Sequence, residues 1–162
     1  MKIIKYFLQF IIIIFFFIIF KILGYKKSSD LGAYIFSKLG HFFRSKKVLN
    51  QNLQNINLNE TNNDYKNFIN KIWANYGRIF ADYMSIIDFR KNNLEKFITV
   101  EGTDILKKIK TGNKPVVFIS GHFNNFELMA MIIEKNGINL SAIYRPLNNI
   151  FLNRVMERIR KK

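Results

Sequence analysis

The chain has no cysteine among its 162 residues. Disulfides and thiolate metal sites are therefore excluded, the fold rests on packing alone, and no redox clue to its compartment exists. Histidine is nearly as scarce. Only His41 and His122 occur, which narrows the choice of any imidazole base to two. Acidic residues are few as well: 11 Asp and Glu stand against 26 Lys and Arg, a net charge of +15. That excess favours an anionic partner such as a nucleic acid, an acidic lipid surface or an acidic carrier protein. The abundance of Ile, Lys, Asn, Phe and Tyr gives the same excess a plainer source, the bias of an AT-rich genome. No Gly-rich phosphate loop, nucleic-acid-binding signature or internal repeat is present, and the one low-complexity segment is apolar.

That segment lies at the amino terminus. Residues 6–20 are apolar except for Gln9, and Ile3, Ile4 and Leu23 extend the run. With Lys5 and Lys21 snorkelling the span reaches about 20 residues, enough for a helix to cross a bilayer core. Its length, and the lack of a small-x-small site in residues 21–27, favour a retained anchor over a cleaved signal peptide. Lys2 and Lys5 precede the span, whereas Lys21, Lys26, Lys27, Lys38, Arg44, Lys46 and Lys47 follow it. The heavier positive load predicts a single-pass protein with the remainder on the cytoplasmic side. Residues 31–43 continue with helix-like apolar spacing, suited to a membrane surface or to packing on the next domain. His41 sits there among phenylalanines and reads as a packing histidine, not a catalyst.

Residues 50–63 are rich in Asn and Gln and read as a short helix followed by a loop, with Thr61 as the N-cap of what comes next. Tyr65, Phe68, Ile69, Ile72, Trp73, Tyr76, Ile79, Phe80 and Tyr83 then recur at three- and four-residue steps. They predict a strongly amphipathic helix whose aromatic stripe is core, with Gly77 marking close packing or a bend. From residue 97 the pattern changes. Strands are expected at 97–101, 116–120 and 140–144, and helices at 104–110, 126–135 and 150–161, with a stop at Gly112 and Asn113. Strand–helix alternation at this spacing predicts an α/β fold with a parallel sheet and right-handed crossovers. Three domains follow: an anchor at 1–24, a helical membrane-proximal region at 25–95, and an α/β part at 96–162. The chain stops inside a helical pattern without a stop signal, so this last part reads as the start of a longer domain.

The chemistry concentrates in two places. Gly121-His-Phe-Asn-Asn-Phe-Glu127 directly follows the apolar run 115–120. A strand opening into a turn lets His122 project from its end, and a carboxylate on the first helical turn, Glu127, can fold back to hold it. One ring nitrogen is then fixed by the acid while the other takes a proton from a hydroxyl. The second place is Tyr144-Arg-Pro-Leu-Asn-Asn149, where Arg145 suits bidentate recognition of a phosphate or carboxylate. Arg154 and Arg158, a helical turn apart, put two more guanidinium groups on one face, either for substrate or as a solvated basic surface.

The anchor, the segment Lys46-Lys-Val-Leu-Asn-Gln-Asn-Leu53, the His122–Glu127 motif and the stretch Tyr144-Arg-Pro-Leu-Asn-Asn-Ile-Phe-Leu152 together resemble the lipid A late acyltransferases. The resemblance runs in order along the whole chain and corresponds to the amino-terminal part of that family. It implies a membrane-anchored, glycerolipid-acyltransferase-like α/β fold in the inner membrane of a Gram-negative bacterium, in lipopolysaccharide biosynthesis. It also implies an acyl carrier protein thioester as donor and a phosphorylated lipid A precursor as acceptor, with no metal or other cofactor. Carried over by position, His122 is the base, Glu127 its partner and Arg145 the arginine of the second motif. Arg145, Asn125, Arg154 and Arg158 are assigned to substrate binding. Two other readings remain: a sister acyltransferase acting on another glycolipid, and an inactive membrane-anchored basic fragment.

Overall fold

The amino-terminal run is helical, as its freedom from proline and near-freedom from charge permit. In the computed structural model, which describes residues 2–42, 48, 51–52, 62–91, 95–112, 114–121 and 123–160, helix α1 runs Lys2–Leu39. It is the one described helix long and apolar enough to cross a membrane, by length and composition. Gly24 interrupts it at φ 72° and ψ 171°, a left-handed conformation that costs a side-chain-free residue nothing. Before the break, Ile3, Ile4, Leu8, Ile12 and Phe15 present an exposed apolar face, while Phe17 and Phe20 are buried.

Two compact units divide the chain. The first is residues Ile19–Tyr83, in which the later part of α1 packs on helix α2 (Asn62–Asp82). The two helices meet through glycine. A Cβ on Gly32 would overlap the Gly77 carbonyl, one on Gly77 would overlap that of Gly32, and one on Gly40 would overlap the Trp73 ring. Small residues at a crossing let backbones approach to a distance larger ones forbid. Phe80 then fills the flanks, its ring 5.9 Å from Phe20 and 5.4 Å from Phe36. The aromatic periodicity of α2 is thus core in part, but Tyr76 is exposed and the tightest contact is made by Gly77.

The second unit joins Met1–Ile18 to Met84–Lys162. It contains α3 (Ile86–Arg90), α4 (Thr103–Gly112), α5 (Glu127–Lys135) and α6 (Ile150–Arg160). Helix α3 packs against α5. Ile86, Phe89, Met131, Ile133, Met156 and Ile159 are the buried side chains of these helices.

The expected α/β sheet is not there. Among the described residues no strand is formed: residues 98–102, 114–121 and 138–147 have no regular secondary structure, and Phe97 belongs to a 3₁₀ turn. The physical reason lies in what alternation measures. Apolar β-formers favour an extended backbone, but a sheet also needs a neighbour's N–H and C=O groups and a face that buries the side chains. Val117, Ile119 and Ile143 are almost wholly exposed, so no such face selects a ladder. The parallel sheet and its right-handed crossovers therefore fall, and the described fold is helical.

Candidate functional site

Glu127 opens α5, and the turn that delivers it has a visible cause. Asn124 adopts φ 49°, the left-handed region that Asn tolerates better than most residues. The chain reverses there, Asn125 is buried, and the first helical bonds close from Leu128 N–H to the Asn125 carbonyl and Met129 N–H to that of Phe126. A carboxylate at this point also lies at the positive end of the helix dipole. His122, the expected base, lies outside the described residues, as do Thr61, Asn113 and the segment 53–60.

What Glu127 does meet was not foreseen. Arg160, the last residue of α6, donates to its Oε1 from Nε at 3.0 Å and from Nη2 at 2.5 Å. The pair is largely shielded, with side-chain exposures of 12% for Glu127 and 28% for Arg160. Shielding matters because charge-assisted bonds out of solvent hold their geometry better than surface pairs. Arg160 is itself held. Its guanidinium lies 5.1 Å from the centre of the Tyr144 ring. Arg90 of α3 donates to the last carbonyls of α6, from Nη1 to Ile159 at 3.1 Å and from Nη2 to Arg160 at 3.2 Å. A cation on the carbonyl end of a helix satisfies groups that have no partner within it.

The second motif acts as scaffolding for this arm. Asn149 caps α6, its Oδ1 accepting from Phe151 and Leu152 N–H at 3.1 and 3.3 Å. Asn153 Oδ1 accepts from Leu147 N–H at 2.9 Å, and its amide donates to Glu157 Oε1 at 2.9 Å. Tyr144 donates to the same Glu157 oxygen at 2.9 Å, and chiefly for that reason its phenol titrates above the ordinary tyrosine range. Arg145 is exposed and takes no hydrogen bond or ion pair among the described residues. The guanidinium that meets the motif carboxylate is that of Arg160, fifteen residues further on.

Two cavities flank these elements. One of about 500 Å³ is almost entirely apolar, bounded by Ile105 and Leu106 of α4, Phe118, and Leu128, Met129 and Ile132 of α5. The other, of about 490 Å³, brings Arg154 and Arg158 together with Phe10, Phe151, Val155 and Glu157. The remaining histidine, His41, is exposed with its ring 3.9 Å from that of Phe42. The clues to Arg160 and Arg90 in the sequence were slight: each is a cation in the last turn of a helix, a position common enough to carry no signal alone.

No group of three or more His, Asp or Glu side chains suited to a metal occurs among the described residues. No curated protein and no solved structure matches the chain. The sequence profile of the family described as bacterial lipid A biosynthesis acyltransferase matches residues 1–162, from the apolar helix through both motifs. The chain belongs to the bacterial lipid A biosynthesis acyltransferases.

Proposed function

We propose that this acyltransferase moves a fatty acyl chain from an acyl carrier protein thioester to a hydroxyl of a phosphorylated lipid A precursor. The observation that carries the reading is the shielded Glu127 carboxylate, fixed by Arg160 at the head of α5 five residues after His122. In this reading His122 accepts the proton of the hydroxyl as its oxygen bonds to the thioester carbonyl, Glu127 orients the ring and stabilises the imidazolium, and the proton passes to the departing carrier-protein thiolate as the C–S bond breaks. A positioned general base contributes roughly 10²–10⁴-fold in rate. The tetrahedral oxyanion is then met by the backbone N–H groups at the start of α5 or by Arg145. Asn125, buried in the same turn, holds the loop against substrate. The apolar cavity beside α5 suits the acyl chain, and the basic surface suits an acidic carrier protein.

The test is transfer of labelled acyl chains from acyl carrier protein to the lipid A precursor by membrane-reconstituted protein. His122→Ala and Glu127→Ala are each expected to lower kcat by roughly 10²–10⁴, without adding when combined, because they act as a unit. Arg160→Ala is expected to lower kcat with little change in KM, and Arg145→Ala to act mainly on KM. Near-normal turnover in a folded His122→Ala protein would end the general-base assignment. Transfer only to a different glycolipid would instead identify a sister enzyme. The lysine excess after the apolar run favours the cytoplasmic face of the inner membrane. Protease added to intact spheroplasts should then leave the region after Lys27 uncut, and digestion there would reverse the orientation.

A further inference from the structure

The first part of α1 has two faces in different surroundings. Tyr6, Phe10, Ile13 and Phe17 recur at helical spacing, and all four are partly or fully buried. Ile4, Leu8, Ile11, Phe15 and Ile18 line the opposite face, each about half exposed or more. Particular contacts hold the covered stripe. Asn149 Nδ2 donates to the Tyr6 carbonyl at 2.8 Å, and the Phe151 ring lies 5.7 Å from that of Phe7 and 5.8 Å from that of Phe10. The cavity of about 490 Å³ beside Phe10 is also lined by Arg154, Glu157 and Arg158 of α6. The unit that contains residues 1–18 also contains residues 114–121 and 138–147, which have no regular secondary structure.

Length and composition permit α1 to cross a bilayer, but these contacts do not. In a helix that crosses, Phe10 would lie about 7.5 Å beyond Lys5 along the axis, below the headgroups. Arg154, Glu157 and Arg158 would be carried to that depth with it, at a cost that rises to about 2.5–3.5 kcal/mol per charge at the bilayer centre. The irregular segments of the same unit would lose the water that satisfies their backbone groups. We propose that the first part of α1 lies in the plane of the membrane surface, with Ile4, Leu8, Ile11, Phe15 and Ile18 in the boundary between headgroups and acyl chains. Helices that bind in this way sink about 5–10 Å. The covered stripe stays on α6, and the arginines of α6 stay among water and headgroups. A bilayer is the occupant that this face fits, because no charged residue interrupts it between Lys5 and Lys21. The unit then meets the membrane from one side only, in place of the single pass expected from the sequence. The inference is independent of the acyl-transfer chemistry.

The absence of cysteine makes the test clean. Ile4→Cys, Ile11→Cys and Ile18→Cys place single spin labels seven residues apart on the exposed face of the full chain, reconstituted in bilayers. Power saturation with oxygen and a water-soluble nickel chelate reads their depths. An in-plane helix gives the three labels one shallow depth, whereas a spanning helix separates the first from the last by about 21 Å along its axis. Topology supplies a second measurement. Lys2 and the α4 residue Lys107 are both exposed, and an in-plane helix leaves them on the same side of the membrane. In spheroplasts, Lys2→Cys and Lys107→Cys should therefore react alike with a membrane-impermeant maleimide, both before permeabilisation or both only after it. Opposite behaviour of the two, or depths that change progressively from residue 4 to residue 18, would overturn the proposal. So would labels that oxygen in the lipid cannot reach together with cross-linking of copies through Ile11→Cys, since a second copy would then cover the face. Circular dichroism checks that each variant remains folded. No readout uses acyl transfer, so failure of the transferase reading and failure of this inference are told apart.

Discussion

At the scale of single residues, the Glu127–Arg160 pair sets what the motif can do. On the proposed reading this carboxylate orients an imidazole and must hold one position, and an exposed glutamate with three free torsions does not. Two donors on one oxygen, shielded from solvent, remove that freedom. Arg160 in turn owes its place to Arg90 and to the Tyr144 ring, so a change at any of these is felt at the carboxylate. Tyr144 offers a handle on this arm through pH. Its hydrogen bond to Glu157, with burial and the carboxylate charge adding, raises its pKa above the unfolded value of about 10. The neutral phenol is therefore favoured in the folded state, and its contribution is present below the unfolded pKa and lost as pH rises through the folded one. Alkaline difference spectra of the native protein against Tyr144→Phe should isolate a phenol ionising above the ordinary tyrosine value, and Glu157→Gln should move that step down. A Tyr144 step at the ordinary tyrosine value, unmoved by Glu157→Gln, would disprove the coupling.

At the scale of elements, the sequence disclosed helices better than what holds them together. The three- and four-residue recurrence of Trp73, Tyr76 and Phe80 marked α2 because helical period is a property of the segment itself. Gly77 stood out as an interruption, and its role is legible only once Gly32 faces it, since close approach needs both partners. The same limit explains the site: Glu127 stood out from its spacing to His122, while Arg160 did not, because 33 residues separate it from its partner. Gly32→Val tests the crossing. The added atoms would strike the Gly77 carbonyl and the neighbouring Ala81 side chain, backbone and close packing that cannot swing aside. Overpacking of this kind costs about 1–3 kcal/mol. Thermal unfolding should show that loss for Gly32→Val, and a comparable one for Gly77→Val. An unchanged midpoint would mean that the helices separate readily and that the glycines are incidental.

At the scale of the whole molecule, the apolar run and the family were legible and the architecture was not. The apolar β-formers at 116–120 and 140–144 suit a strand, yet pairing is a relation between segments that no single segment encodes, and the described residues contain none. The apolar run, conversely, reads from sequence as an anchor separable from the rest, whereas its first half belongs to the same compact unit as residues 84–162. That membership rests on particular contacts: the bond from Asn149 to the Tyr6 carbonyl and the packing of Phe151 on Phe7 and Phe10. Exchanging residues 2–18 for an unrelated apolar helix of equal length separates the two roles. Membrane retention should persist, because it depends on hydrophobic length and not on which apolar residues supply it. The amides of α6 should lose hydrogen-exchange protection, since each aromatic pair contributes about 0.5–1.5 kcal/mol beyond its buried area and two are removed. The Asn149 bond to α1 depends on where a helical carbonyl sits, so Asn149→Ala in the native chain isolates that part of the loss. If α6 stays as protected in the exchanged protein as in the native one, the helix is a tether after all.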